Sequence, residues 1–154
     1  MQAIILAAGM GRRLGELTNN NTKRKLEVNG KKLITRALDA LDRVGITNVI
    51  LVVGYKFENV QKLIGDKYMN IKIDYVVNKV YDKTNNIYSL YLAKDYLLKD
   101  DTLLLESDLI FEDKVIDKIL NDDHSNIALV DKYESWMDGT VVTLDEENKI
   151  KDFI

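Results

Sequence analysis

Two uninterrupted apolar runs constrain this chain more than any other feature. Residues 3–8 and 49–53 contain no polar side chain, and each run stops at a glycine, Gly9 in the first case and Gly54 in the second. A strand with one wet face alternates apolar and polar residues, whereas a strand covered on both faces is apolar throughout. Both runs therefore read as strands buried inside a sheet. Between them Leu33, Ala37, Leu38, Leu41 and Val44 recur at helical spacing, and Gly45 stands where a helix ends on glycine.

The same alternation continues. Val60, Leu63 and Ile64 mark one face of a segment over 57–68, and 71–77 reads as a third strand. Ile87, Leu90, Tyr91 and Leu97 mark a helix, 102–105 a short strand closed by Glu106, Ser107 and Asp108, 115–120 a further helix and 127–130 a further strand. Strands alternating with helices predict an α/β fold, a Rossmann-like mixed and mostly parallel sheet with helices on both faces. Ligands in such sheets sit beyond the carboxyl ends of the strands, where Gly9, Gly54 and Asp108 fall. From residue 141 the alternation stops: 141–144 and 149–154 flank a polar turn, the pattern of a hairpin. The chain ends on Phe153 and Ile154 inside that apolar pattern, so it reads as one domain over 1–154 truncated at its C-terminus.

Composition removes several functional classes. The 154 residues are 46% hydrophobic, enough for one domain with a core. A net charge of -3 provides no general basic field for nucleic acid or a membrane surface. No apolar run approaches the roughly 20 residues that span a bilayer, and no secretory leader is recognisable, so a cytoplasmic location is expected. With no cysteine, disulfides, thiolate metal sites and a cysteine nucleophile are excluded.

Positive charge matters locally. Leu6, Ala7, Ala8, Gly9, Met10 and Gly11 lead into Arg12 and Arg13, and Lys23, Arg24 and Lys25 follow. Glycines allow backbone amides to converge on an anion, and an arginine adds a bidentate grip, so this loop reads as a phosphate site. A Walker A loop would need Gly-Lys-Ser/Thr, which follows neither Gly9 nor Gly11. The dinucleotide fingerprint would need glycine where Leu14 stands and an acid after strand two, where the chain reads Val53, Gly54, Tyr55.

Leu6, Ala7, Ala8, Gly9, Met10, Gly11 and Arg13, with Lys23 and Leu26 after a spacer, resemble the signature of the sugar-phosphate and choline-phosphate nucleotidyltransferases, LAAGxGxR followed by PK. Arg12 stands where that signature has a small hydroxyl residue, and Thr22 where it has proline. The resemblance implies the nucleotidyltransferase fold, residues 6–12 and Arg13 around the triphosphate, and Lys23 bridging the α-phosphate and the attacking phosphate. The stretch 85–91, Asn-Asn-Ile-Tyr-Ser-Leu-Tyr, is similar to the bacterial choline-phosphate cytidylyltransferases, and 104–110 to the phosphonate cytidylyltransferases. That similarity implies nucleotide contacts from Asn85 and Asn86. It also implies that Asp108 holds a magnesium ion, Mg2+. The local alternatives are an N-cap at Thr84 or Asn85 and a turn cap at Asp108. Tyr88 and Tyr91 read equally as aromatic walls or as core.

Trp136, the single tryptophan, lies between Glu134 and Asp138. Loops seldom carry an unpacked tryptophan, so a satellite hydrophobic contact is expected. The sharper alternative is that Trp136, Glu134 and Asp138, with Tyr88, recognise a cationic head group by cation–π attraction and charge pairing. His124, beside Asp122 and Asp123, reads as a surface turn. Together these readings predict a transferase moving a cytidylyl group from CTP, or another nucleotide, to a small phosphate or phosphonate acceptor of the phosphocholine or 2-aminoethylphosphonate type. A homodimer is left open. The competing readings are a sugar-1-phosphate nucleotidyltransferase and a non-catalytic nucleotide-binding domain of the same fold.

Overall fold

The computed structural model describes residues 1–9, 27–28, 31–137 and 139–154. The chain divides into two compact units, Met1–Asp117 and Lys118–Ile154.

The first unit is built on a five-stranded sheet. Strand β1 (Gln2–Ala7) is an interior strand, with β4 (Asn48–Val53) and the edge strand β7 (Thr102–Glu106) on either side, both parallel to it. Strand β6 (Ile71–Val77) extends the sheet beyond β4, again parallel, and the short β5 (Lys67–Tyr68) closes that edge in the antiparallel sense. A separate two-stranded ribbon pairs β2 (Glu27–Val28) with β3 (Lys31–Lys32). The expected mixed, mostly parallel sheet is thus present.

Burial explains the apolar runs. All six residues of β1 are buried, as are the last five of β4. Register pairs Ile4 with Ile50 and Leu6 with Val52, so these four share one face, where they pack with Ala93, Leu90, Tyr96 and Val76. Ala3, Ile5, Val49, Leu51 and Val53 point the other way and are buried as well. Helix α1 (Leu33–Arg43) buries Leu33, Ile34, Ala37, Leu38, Ala40 and Leu41, and α2 (Phe57–Ile64) buries Val60 and Ile64. Gly45 ends the turn after α1 at a φ of 80°, while the N–H groups of Gly45 and Ile46 return to the carbonyls of Asp42 and Leu41.

The helical spacing over 87–97 resolves into two pieces, α3 (Asn86–Leu92) and α4 (Lys94–Leu97), joined at Ala93. Their inward face mixes small and large residues, since Leu90 and Tyr96 pack on the core beside Ala93. Ser89 and Ala93 are buried, whereas Ile87, Tyr91 and Leu97 are exposed. Small residues let the helix lie close to the sheet.

Helix α5 (Asp113–Leu120) spans the division between the units. In the second unit β8 (Val142–Leu144) and β9 (Ile150–Phe153) form the expected hairpin, with an irregularity between Thr143 and Leu144. Its turn is held by Asp145, whose carboxylate accepts from the N–H groups of Glu147 and Lys149, and Asn148 takes the left-handed conformation at φ 61°. The strand expected over 127–130 is absent: these residues are exposed and pair with no neighbouring strand. A short apolar run makes a strand only where another edge completes its hydrogen bonds. Among the described residues no helix is long and apolar enough to cross a membrane.

Candidate functional site

Because β1, β4, β6 and β7 are parallel, their carboxyl ends share one edge of the sheet. From β1 the chain first builds outward on one side through β4 and β6, then returns to place β7 on the other side. The crossovers therefore diverge at β1, which is where an open α/β sheet forms a crevice. Ala8 and Gly9 follow β1 there, Gly54 follows β4, and Ser107 and Asp108 follow β7.

Each position has a local cause. The Ser107 N–H donates to the Leu6 carbonyl at 3.1 Å, carrying the β1–β7 pairing one residue past the strand and bringing Asp108 beside the end of β1. Ser107 is buried and Asp108 half-buried. Leu6, Ala7 and Ala8 are buried, so this part of the loop can contribute only backbone groups. Gly9 is exposed, and no described atom lies within 4 Å of where its Cβ would stand. The described protein leaves space at Gly9.

Gly54 is different, and no motif in the sequence marks it as a site residue. A Cβ there would lie 2.7 Å from the Tyr81 Cβ and 2.8 Å from the Ala8 carbonyl oxygen. Only glycine allows the three segments to meet. Tyr81 also sits 6.0 Å, ring to ring, from Tyr55, over which the Lys56 ammonium lies at 5.0 Å. The available signal was a glycine ending a fully apolar strand, but its contact with Tyr81 is not local in sequence.

Asn85 and Asn86 take separate parts. Asn85 is the N-cap of α3, its side chain accepting from the Tyr88 N–H at 3.4 Å. Asn86 reaches across instead, its amide donating to Glu106 Oε1 at 2.8 Å, so the start of α3 is tied to the end of β7. Glu106 was thus a second residue missed. Tyr88 is half-buried with its ring 6.1 Å from that of Tyr91, and Tyr91 is exposed, which removes the core reading for it.

Trp136 corrects the sequence expectation. It is 78% exposed rather than packed, and Glu134 beside it is exposed too, its carbonyl accepting from the Met137 N–H at 2.9 Å. No described residue of the second unit is buried, so there is no apolar surface within it to receive an indole. His124 is the surface turn expected. Its backbone N–H and ring Nδ1 lie 2.9 and 2.6 Å from Asp122 Oδ1, holding that carboxyl below its usual range. Met10, Gly11, Arg12, Arg13, Lys23 and Asp138 lie outside the described residues.

The donor set can be tested against magnesium. No group of three His, Cys, Asp or Glu side chains that could hold a metal occurs among the described residues. Magnesium, however, is commonly held by one or two carboxylates plus substrate phosphates and water, not by an all-protein cage. Asp108, a hard oxygen donor at the crevice, fits that use.

An open parallel sheet with its polar residues gathered at the point where strand order reverses is the architecture of the nucleotide-binding α/β proteins. Within that class, the chain belongs to the nucleotidyl transferase family, whose model matches residues 2–154. It is 35% identical over 154 residues to a CMP-5'-(3-aminopropyl)phosphonate synthase of Streptomyces rubellomurinus, covering 100% of this chain and 24% of the relative. It is 43% identical over 97 residues to a choline-phosphate cytidylyltransferase of Streptococcus pneumoniae, covering 63% of this chain and 41% of the relative. Among solved structures it is similar to the inositol-1-phosphate CTP transferase of T. maritima, with a TM-score of 0.79 and 26% identity over 99% of this chain and 62% of the other. The chain thus spans less than two thirds of each of these relatives.

Proposed function

We propose that this chain is the nucleotide-binding part of a cytidylyltransferase. It would transfer the cytidylyl group of CTP to a small phosphate or phosphonate carrying a cationic end, of the phosphocholine or 2-aminoethylphosphonate kind. The supporting observation is that the end of β1 lies beside the end of β7 at the strand-order reversal, where the Ser107 N–H, next to Asp108, bonds to the Leu6 carbonyl. Similarity to phosphonate and choline-phosphate cytidylyltransferases favours cytosine and a cationic acceptor.

The reaction needs no base from the protein. A phosphate or phosphonate oxygen is already largely ionised at neutral pH. That oxygen attacks the α-phosphorus of CTP, a new P–O bond forms, the bond to the β-phosphate oxygen breaks, and pyrophosphate leaves with its electron pair. The protein's work is to hold two polyanions in line and offset the charge that accumulates. Backbone amides from Ala8 to Arg12 and the Arg13 guanidinium would hold the triphosphate, and Lys23 would lie between the α-phosphate and the acceptor. Asn85 and Asn86 would line the nucleotide side, and Tyr88, Glu134, Trp136 and Asp138 the acceptor's cationic end. Asp108 would hold magnesium, which when bound supplies charge neutralisation at phosphate oxygens. We infer a cytoplasmic setting, a nucleotide and a small phosphorylated partner, and no nucleic acid; self-association into a homodimer is compatible with this reading.

The complete protein, mixed with magnesium, CTP and phosphocholine or 2-aminoethylphosphonate, is expected to release pyrophosphate. Lys23→Ala is expected to abolish release while leaving the circular dichroism spectrum unchanged. No turnover with any nucleotide and any phosphorylated acceptor would overturn the enzyme reading. CTP binding without turnover would instead favour the non-catalytic domain, to which Arg12 and Thr22 point.

A further inference from the structure

One buried side chain outside every role assigned above joins the parts of the crevice. Asn78 follows β6 directly and is 1% exposed. Its backbone N–H donates to the Val53 carbonyl at 2.7 Å, carrying the β4–β6 pairing to the edge where Gly54 begins its turn. The side-chain amide makes three bonds along the chain that follows, using both of its donors. Oδ1 accepts from the Val80 N–H at 3.0 Å, while Nδ2 donates to Thr84 Oγ1 at 3.0 Å and to Ser89 Oγ at 3.1 Å. Thr84 passes the link on, donating to the Val80 carbonyl at 2.8 Å.

We infer that Asn78 is a positioning residue for the candidate site. It shapes the loop between β6 and α3, and thereby sets Tyr81 against Gly54 and Ala8 and directs Asn86 to Glu106. This inference rests on the proposed reading only for what the site does, not for the geometry. Two donors and one acceptor, diverging from a planar amide, meet two hydroxyls and one N–H inside the protein. A buried amide left without partners is disfavoured, so the loop is held in the one arrangement that satisfies all three. Aspartate has the same shape and no donor, and glutamine has the same groups on a longer stem that a site this buried would have to shift to accept. The loop bound in this way ends at the Asn85 cap, and the next residue reaches Glu106, two positions from Asp108. Asn78 therefore links the end of β6, through α3, to the end of β7.

The experiment compares wild type, Asn78→Asp, Thr84→Val and Ser89→Ala in the complete protein, by steady-state kinetics and by backbone hydrogen exchange over residues 79–90. Asn78→Asp is expected to lower kcat at least about tenfold, the scale of small misplacements at a reacting centre, with the KM for CTP within about threefold of wild type. It is also expected to speed exchange at Val80, Lys83 and Ser89 while β1 and β4 remain protected. Thr84→Val and Ser89→Ala, which each remove one bond, are expected to give smaller effects in the same direction. A merely structural role would lower the melting temperature and leave kcat per folded molecule unchanged, and that result would overturn the inference. If Asn78→Asp fails to fold, the other two variants decide: wild-type kcat and wild-type exchange in both would overturn it. A wild type that turns over no nucleotide would sink the reaction proposed above and not the positioning role, which the exchange pattern over 79–90 would still support or reject.

Discussion

The two units of this chain are built on opposite principles. From Met1 to Asp117 the apolar residues converge: Ile4, Ile5, Ile50, Leu51 and Val52 are wholly buried, and the helices supply Ile34, Leu38 and Leu41 to the same interior. From Lys118 to Ile154 they do not: Ile127, Leu129, Val130, Tyr133, Trp136, Ile150 and Phe153 are all exposed. The first unit carries the strand-end crevice, and the second carries Glu134 and Trp136. A nucleotide's phosphates need amides fixed by a rigid sheet, and the first unit has that sheet. The head-group recognition proposed for Trp136 would need its indole face uncovered, and Trp136 is exposed.

The comparison breaks most readily at the core. Ile4→Ala should cost about 2–5 kcal/mol, as buried large-to-small changes do, whereas Phe153→Ala on the hairpin should stay within about 0.5 kcal/mol; urea melts of both variants would check this. Equal losses would mean that the second unit is held by burial as much as the first. Next in size is Gly54→Ala. With Tyr81 and Ala8 atoms at 2.7 and 2.8 Å from the added carbon, overpacking should cost about 1–3 kcal/mol. The KM for CTP should rise as well, because the Ala8 carbonyl must move.

A third substitution tests the exposed aromatic. Trp136→Ala should leave the melting temperature unchanged and raise the KM for a cationic acceptor by about three- to thirtyfold, the range of a cation–π contact, with the KM for CTP unmoved. An equal rise for an uncharged acceptor would remove the indole from head-group recognition. The smallest effect is on pH. Burial, reinforced by Asp66, pushes the Tyr75 phenol up to about 12, and burial with the Asp39 hydrogen bond does the same for Tyr68. The folded chain thus keeps protons that the unfolded chain begins to release near the ordinary value of 10.0. Stability contributed by these groups is complete below that value and is lost as pH rises toward about 12. Tyr75→Phe should flatten that alkaline decline, as followed by equilibrium unfolding between those limits.

Much of the first unit was legible because its signals are local. A run such as 49–53 has no polar residue to place outward, so burial on both faces follows from the chain alone. Gly9 and Asp108 were legible for the same reason, as breaks at the ends of such runs. Asn78 was not, because a strand followed by asparagine reads as an ordinary turn and nothing local shows that its amide meets Thr84 and Ser89. Over 127–130 and at Trp136 local reasoning failed in the other direction. Apolar character was read as burial, but burial requires a second surface, and the second unit has none among its described residues.

By itself the sequence determined the main strands of the sheet, their parallel character and the family, because periodicity and a contiguous motif are properties of neighbouring residues. Only the tertiary structure decided the strand order β5-β6-β4-β1-β7, and with it the juxtaposition of Ala8, Gly54 and Tyr81 and the bond from Asn86 to Glu106. Those contacts join residues far apart in the chain. They depend on which side of β1 each crossover returns to, and no local pattern encodes that choice.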